Sequence, residues 1–313
     1  MASSRTEVEG YKILKELLGQ DRELGGAFCY ITGAMGGGKT AAMLSWMMYT
    51  LQSHPDQKIF FSETYDAPLQ SFKLGRENIS FYVKDGSDVV FRDRNNHLKE
   101  VDIGQMYFSD FDDLWRISEY GKINTVFFGD RTVWMEFMAY LRHKGEWTHV
   151  FIDEFGEIAP ANTAGKLYKR IGQFAIFAKD FRKCQMKVIV NTQSVSDMDW
   201  RVRDKCMYRV FLPGAVADKK HSRVVQGAID NLATSPEYGN EAYIDRMGRF
   251  GKIKFTDIFK PNLDYQIEAH VATTDEYISI PLEDDEPRKY DELEEKDKIL
   301  ETGKFLEIDL LED

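Results

Sequence analysis

The sequence is poor in cysteine. Cys29, Cys184 and Cys206 stand far apart among 313 residues and form no C-x-x-C pair. This spacing excludes the usual zinc sites and a disulfide framework, so a reducing compartment such as the cytoplasm is expected. Long apolar runs are also missing. No stretch of about 18 consecutive apolar residues occurs, so no membrane span is expected. The opening decapeptide MASSRTEVEG is too polar for a secretory signal. Internal repeats are absent. Positive charge is in deficit, with 41 Lys and Arg against 52 Asp and Glu and a net charge of -11. The deficit is local, because Glu283 to Asp313 alone holds 14 acidic and 5 basic residues. The remainder is close to neutral, and a basic channel on an acidic protein is still compatible with a nucleic-acid partner.

What is present suits one large domain with appendages. Apolar residues make up 43% of the chain, enough for a sizeable core. Strand-like runs are AFCYIT, KIFFSE, ISFYVK, INTVFFG, HVFIDEF, KVIVNTQ and YRVFLPG. Helical patterns such as TVWMEFMAYLRHKG and KLYKRIGQFAIFAKDFRK lie between several of them. Nearly all-apolar strands alternating with helices indicate an α/β fold with a central, mostly parallel sheet covered on both faces. Four segments are expected: a helical extension over 1–25, a core over 26–214, a C-terminal extension over 215–282 and an acidic tail over 283–313. The polar stretch from Lys84 to Asp113 is expected to form a small insertion. The tail has weak helical periodicity and dense charge, as expected of a solvated or partner-docking appendage.

The stretch CYITGAMGGGKTAAML, Cys29 to Leu44, carries the first chemistry. Gly33, Gly36, Gly37, Gly38, Lys39 and Thr40 fit G-x-x-x-x-G-K-[ST], placed between a strand pattern and a helix pattern. Glycines let the backbone approach a ligand closely. Inward N–H groups and the helix N-terminus then favour a phosphate. Lys39 is expected to reach the β- and γ-phosphates of ATP, and Thr40 to hold Mg²⁺. A glycine-rich linker is the plain alternative, but a linker would not sit between two apolar elements.

HVFIDEFGEI, His149 to Ile158, supplies carboxylates at a strand tip. Asp153 is expected to hold Mg²⁺, and Glu154 to act as the base that polarises the attacking water. An acid that prepares water implies hydrolysis rather than group transfer. No N-K-x-D guanine-reading motif is present, which argues against a GTP-binding switch. Further on, KVIVNTQSVSDMDWRVRDKC ends a strand in Asn191-Thr192-Gln193. Gln193 is expected to sense the γ-phosphate.

In this order the motifs GAMGGGKT, HVFIDEF and VIVNTQSVSDMDWRVRDKC resemble the HerA–FtsK superfamily of P-loop ATPases. The resemblance covers about residues 26–214. It implies a RecA-like (ASCE) P-loop NTPase fold with an extra strand between the two phosphate motifs, a place INTVFFG would fill. It implies ATP and Mg²⁺ as cofactors, a homo-oligomeric ring, usually a hexamer, and a DNA partner, double-stranded and not read by sequence. It also implies an arginine supplied in trans from late in the helix before the T-Q strand, where Arg182 matches; Arg170, Arg201 and Arg203 compete. The compact chain is most similar to viral genome-packaging ATPases, which would place it in host cytoplasm or at a virion packaging vertex. Zot-like or conjugation-like ATPases acting on single-stranded DNA or proteins are the alternative. A capsid or membrane-protein partner is expected, and the acidic tail would either dock to a basic capsid or portal surface or cover the basic pore before DNA arrives.

Cationic segments are the candidate DNA contacts. They are GKLYKRIG with Lys166, Tyr168, Lys169 and Arg170, DWRVRDK with Trp200, Arg201 and Arg203, and DKKHSR with Lys219, Lys220 and Arg223. Each alone also reads as an ordinary solvated face. The aromatic stripe FFGDRTVWMEFMAY reads as helix core.

Overall fold

The computed structural model describes residues 5–93, 95–101, 104–217, 223–232, 234–235, 239–255 and 267–273. The acidic tail, Lys219 and Lys220 lie outside them, as does the side chain of Arg223. In chain order the elements are α1 Arg5–Leu18, β1 Ala27–Thr32, α2 Lys39–Ser53, β2 Lys58–Ser62, β3 Ile79–Lys84, β4 Ser87–Asp93 and β5 Gln105–Phe108. There follow α3 Phe111–Ile117, β6 Ile123–Phe127, α4 Trp134–Leu141, β7 Thr148–Ile152, α5 Gly165–Ala178, β8 Met186–Thr192 and α6 Trp200–Arg203. The described part ends with β9 Tyr208–Phe211, α7 Arg223–Asp230, β10 Thr234–Ser235, β11 Gly239–Arg246, β12 Arg249–Phe255 and β13 Ile267–Thr273.

The central sheet runs β10-β11-β9-β1-β8-β7-β2-β6-β3-β5, with β12 beside β11. From β9 to β5 every pairing is parallel, and β11 and β12 add an antiparallel margin. Strands β1, β2, β6 and β7 are buried at every position. That follows from their nearly unbroken apolar sequence, which only a sheet covered on both faces can bury. Alternate residues then serve opposite faces. Phe28, Tyr30, Phe60, Val150 and Val188 join Phe137 of α4 and Phe174 of α5 in one core. Cys29, Ile31, Phe61, Phe151 and Ile189 join Ile13 of α1 and Met43 of α2 in the other.

One expectation is corrected. The strand lying between the phosphate-loop strand β1 and the carboxylate strand β7 is β8, not INTVFFG. INTVFFG forms β6, two places beyond β7, between β2 and β3. Position along the chain does not fix position in the sheet, because each crossover helix returns the chain to a neighbour chosen by packing. The polar 84–113 stretch supplies β4, which pairs with β13 in a separate two-stranded sheet, and β5, which closes the edge of the main sheet.

Helix α1 closes the other margin by lying across the β11–β12 hairpin. At the crossing, Gly10 and Gly251 meet backbone to backbone. A Cβ on Gly10 would lie 2.2 Å from the Lys252 carbonyl oxygen, and one on Gly251 would lie 2.0 Å from the Gly10 nitrogen. Ion pairs flank the contact, Arg249 with Glu9 and Glu16, Arg246 with Glu16, and Lys254 with Glu7 at 3.3 Å. Buried Lys187 donates to the Glu16 carbonyl at 3.1 Å, fixing α1 to the foot of β8. Because backbone cannot yield as a side-chain tip can, Gly10→Ala and Gly251→Ala are each expected to cost about 1–3 kcal/mol in chemical denaturation. A mutant midpoint equal to wild type would show that the close approach is not real.

Candidate functional site

The parallel register brings three strand ends together. Thr32 of β1 lies beside Thr192 of β8, and Val190 of β8 beside Ile152 of β7. Gly33 to Gly38, the β8 end at Asn191 to Gln193, and Asp153 to Glu154 therefore stand together at one carboxyl edge, where open parallel sheets bind ligands.

The Gly33–Thr40 loop folds as its glycines require. Gly36 and Gly38 take left-handed conformations, with φ 74° and 91°. A Cβ on Gly37 would meet the Ala34 and Pro213 carbonyl oxygens, each at 2.9 Å. The loop's start is fixed by Ala34 N–H donating to the Pro213 carbonyl at 3.1 Å. Lys39 is 8% exposed, and its Nζ donates to the Gly33 carbonyl at 2.9 Å and the Ala34 carbonyl at 3.1 Å. Burial lowers its pKa, while the charges of Glu154 and Asp153 act in the opposite direction. Thr40 lies half-buried in the first turn of α2.

Asp153 is 7% exposed at the end of β7. Its carboxylate accepts from Thr64 Oγ1 at 3.1 Å and from the Asn191 amide. Burial raises its pKa against these hydrogen bonds and the charges of Arg131 and Lys39. Glu154 follows with φ 48°, a left-handed conformation for a residue with a Cβ. That costs roughly 1–2 kcal/mol. The surroundings impose it. The Asp153 carbonyl accepts from Arg131 Nη2, and Glu154 N–H donates to Asn191 Oδ1 at 2.8 Å. Both sides of the Asp153–Glu154 peptide are thus gripped by buried side chains. Arg131 is itself fixed by Glu157 and by Ser62 Oγ at 3.3 Å.

The grip turns Glu154 toward the third strand end, where Gln193 Nε2 lies 3.4 Å from Glu154 Oε1. Burial and the Asp153 charge raise the Glu154 pKa; the Gln193 hydrogen bond and the Lys39 charge oppose this. A further buried carboxylate, Glu63 at the tip of β2, accepts from Gln70 N–H at 3.1 Å and Ser71 N–H at 2.6 Å. Burial pushes its pKa up to about 7.

The loop residues, Lys39, Thr40, Asp153, Glu154 and Gln193 all converge on this edge. Arg182 does not join them. It is exposed in the turn before β8, where its carbonyl accepts from Gly26 N–H at 2.8 Å, at the opposite end of the strands. A six-residue strand such as β1 separates those ends by about 20 Å. Arg170 is paired with Glu136, and Arg201 with Asp199 at 2.8 Å.

Sequence reasoning passed over Arg131, Thr64 and Asn240. Arg131 sat inside the stripe read as helix core. Asn240 carried no motif, yet a Cβ on Gly38 would lie 2.9 Å from its Nδ2, so the β11–β12 hairpin reaches the phosphate loop.

The oxygen donors suit Mg²⁺. Among the described residues no group of three or more His, Cys, Asp or Glu is placed to hold a metal. Mg²⁺ commonly takes one or two protein ligands, with phosphates and water completing its shell. Thr40 and Asp153 fit that pattern.

The sheet order, phosphate loop and carboxylate tip define a RecA-like P-loop nucleotide-binding fold. No family profile matches the sequence, and no curated protein does. Among solved structures the chain is similar to the genome packaging NTPase B204 from Sulfolobus turreted icosahedral virus 2 in complex with AMPPCP. Identity is 12% over 78% of this chain and 97% of that one, with a TM-score of 0.44. It is also similar to the pCW3 conjugation coupling protein TcpA, at 9% identity over 74% of this chain and 61% of that one, TM-score 0.44. A third similarity is to the N-terminal domain of zonular occludens toxin from Neisseria meningitidis, at 14% identity over 77% and 99%, TM-score 0.34.

Two outcomes follow from the geometry. Glu154→Gly relieves the left-handed strain and removes a carboxylate from beside Asp153. It is expected to stabilise the fold by about 1 kcal/mol in a denaturant melt; a destabilised variant would contradict the strain. The second concerns pH. A raised Glu154 pKa keeps the carboxyl protonated to higher pH, and only the ionised form can take a proton. If Glu154 is the base of a hydrolysis reaction, the acid limb of kcat/KM, which reports the nucleotide-free site, is therefore expected above the ordinary glutamate value of 4.5, where the usual limb would fall. A limb at or below that value would contradict the burial.

Proposed function

We propose that this chain is an ATPase that couples hydrolysis to the movement of DNA, working as a ring of copies of the kind that packages a viral genome. The observation that carries the reading is the placement of Glu154, held out of ordinary backbone geometry and aimed at Gln193 beside the phosphate loop. A group transferase has no need of such a base.

ATP would enter with its β- and γ-phosphates in the Gly33–Gly38 loop. The Lys39 ammonium exchanges loop carbonyls for phosphate oxygens. Thr40 and Asp153 would hold Mg²⁺, which supplies charge neutralisation on the phosphates. Glu154 accepts a proton from the water whose oxygen attacks the γ-phosphorus, and ADP leaves. Gln193, at hydrogen-bond reach of Glu154, registers the state of that phosphate and passes it to the loop that follows β8. Arg182 is too far from its own chain's loop to serve it, so an arginine would reach the phosphates only from another copy. Exposed on the opposite end, it is free to serve a neighbouring copy, and the charge it brings couples hydrolysis to assembly.

DNA as the partner is supported by the third motif and by the cationic segments that follow the Glu154 and Gln193 strands. The test is steady-state ATP hydrolysis with and without linear DNA. Wild type is expected to be stimulated, and Glu154→Gln to lose about 10²–10⁴-fold in kcat. Hydrolysis indifferent to DNA would redirect the reading to an ATPase acting on protein partners, and hydrolysis untouched by Glu154→Gln would overturn the assigned base.

A further inference from the structure

Two segments separate in the sequence come together as one surface. The loop after β7 and the loop after β8 are zipped to each other. Asp199 N–H donates to the Ala159 carbonyl at 2.9 Å, and Ala161 N–H to the Asp197 carbonyl at 2.9 Å. Pro160 and Met198 form a bridge between them. Ser194 and Asp197 close a capping box within the second loop. Each loop begins at a catalytic candidate, Glu154 or Gln193, and each ends in a helix, α5 or α6. The two helices then bring Tyr168 and Arg201 into contact. The Arg201 guanidinium lies 4.0 Å from the Tyr168 ring centroid and donates to the Tyr168 carbonyl at 3.2 Å. Asp199 holds it from the side through Nε at 3.0 Å and Nη2 at 2.8 Å. Tyr168 is 50% exposed and Trp200 62% exposed, and Lys166 and Lys169 are exposed on the same first turns of α5.

We infer that this face, formed by Lys166, Tyr168, Lys169, Trp200 and Arg201, binds an unpaired strand of nucleic acid. The inference rests on the DNA reading above and departs from it in one respect, since the resemblance of the motifs implies a double-stranded partner. The exposed rings of Tyr168 and Trp200 are stacking platforms, with Arg201 holding the Tyr168 ring from behind, and base faces are accessible only where a strand is unpaired. The lysines supply the phosphate contacts, which carry no sequence information. A docked protein would match the aromatic and arginine content of the face but not its two exposed lysines, in which protein interfaces are depleted. The face is also built to respond to nucleotide. Gln193 and Trp200 lie at the two ends of one segment tied by the Ser194–Asp197 capping box and the Asp199–Ala159 hydrogen bond, so a shift of Gln193 on phosphate loss would be passed to Trp200.

The test is fluorescence anisotropy of a labelled 20-mer of thymidine and of a mixed-sequence duplex of equal length, with a non-hydrolysable ATP analogue and a salt series. Wild type is expected to bind the single strand more tightly than the duplex. Tyr168→Ala and Trp200→Ala are each expected to weaken single-strand binding about tenfold or more. For Trp200, 62% exposed, this loss should come with no change of melting temperature on substitution. Lys166→Gln with Lys169→Gln should make the salt slope of log affinity shallower by about 1.4, as for two lost phosphate contacts on a single strand. If wild type binds the 20-mer and the aromatic variants bind it equally well, the face is wrong while the DNA reading stands. If the duplex is preferred and the variants lose it, the single-strand assignment is wrong. If the variants instead lose self-association by light scattering, the face joins copies of the chain and the inference fails. If wild type binds neither, the DNA reading itself fails.

Discussion

The site depends on one peptide bond. The plane between Asp153 and Glu154 is held on its carbonyl side by Arg131 and on its N–H side by Asn191. Neither grip is available to an exposed loop, because both partners are buried and both are fixed from elsewhere. The result is a glutamate in a conformation that glycine would occupy more easily. Strain of this kind persists only where surrounding structure over-determines it. Here it separates two carboxylates that adjoin in sequence. Asp153 turns inward toward Thr64 and Asn191, while Glu154 turns outward toward Gln193.

The rest of the sheet makes that peptide bond possible. Arg131 comes from the end of β6, Ser62 from β2 and Asn191 from β8, so the grip requires β8-β7-β2-β6 in that spatial order. The phosphate loop is positioned by the opposite flank. Leu212 and Pro213 beyond β9 pack against Gly33 and Gly37, and Asn240 of β11 approaches Gly38. Behind that flank, α1 is locked onto the β11–β12 hairpin by the Gly10–Gly251 contact and its ion pairs. The first helix of the chain thus supports the phosphate loop through a hairpin more than two hundred residues away.

Much of this was legible in the sequence. Buried parallel strands announce themselves as apolar runs, and AFCYIT, KIFFSE, HVFIDEF and KVIVNTQ each form the strand expected of them. The phosphate loop, the acidic strand tip and Gln193 were legible because each is a short run whose spacing the chemistry requires. Spatial order was not. INTVFFG and KVIVNTQ have the same apolar character, and nothing in either says which one lies beside β1. Arg131 was hidden among aromatics, inside the stripe that reads as helix core. Asn240 was hidden because a single amide acquires meaning only from the loop it approaches. The cationic segments at Lys166 and Trp200 were visible separately, but not their meeting through Tyr168 and Arg201.

The central claim is a division of labour, with Lys39 holding the phosphates and Glu154 preparing the water. It is tested most directly by nucleotide affinity together with single-turnover hydrolysis for wild type, Lys39→Ala and Glu154→Gln. The account predicts that Lys39→Ala loses ATP affinity. It also predicts that Glu154→Gln binds ATP as wild type does and releases almost no phosphate. A Glu154→Gln protein that turns over its bound ATP at the wild-type rate would contradict it.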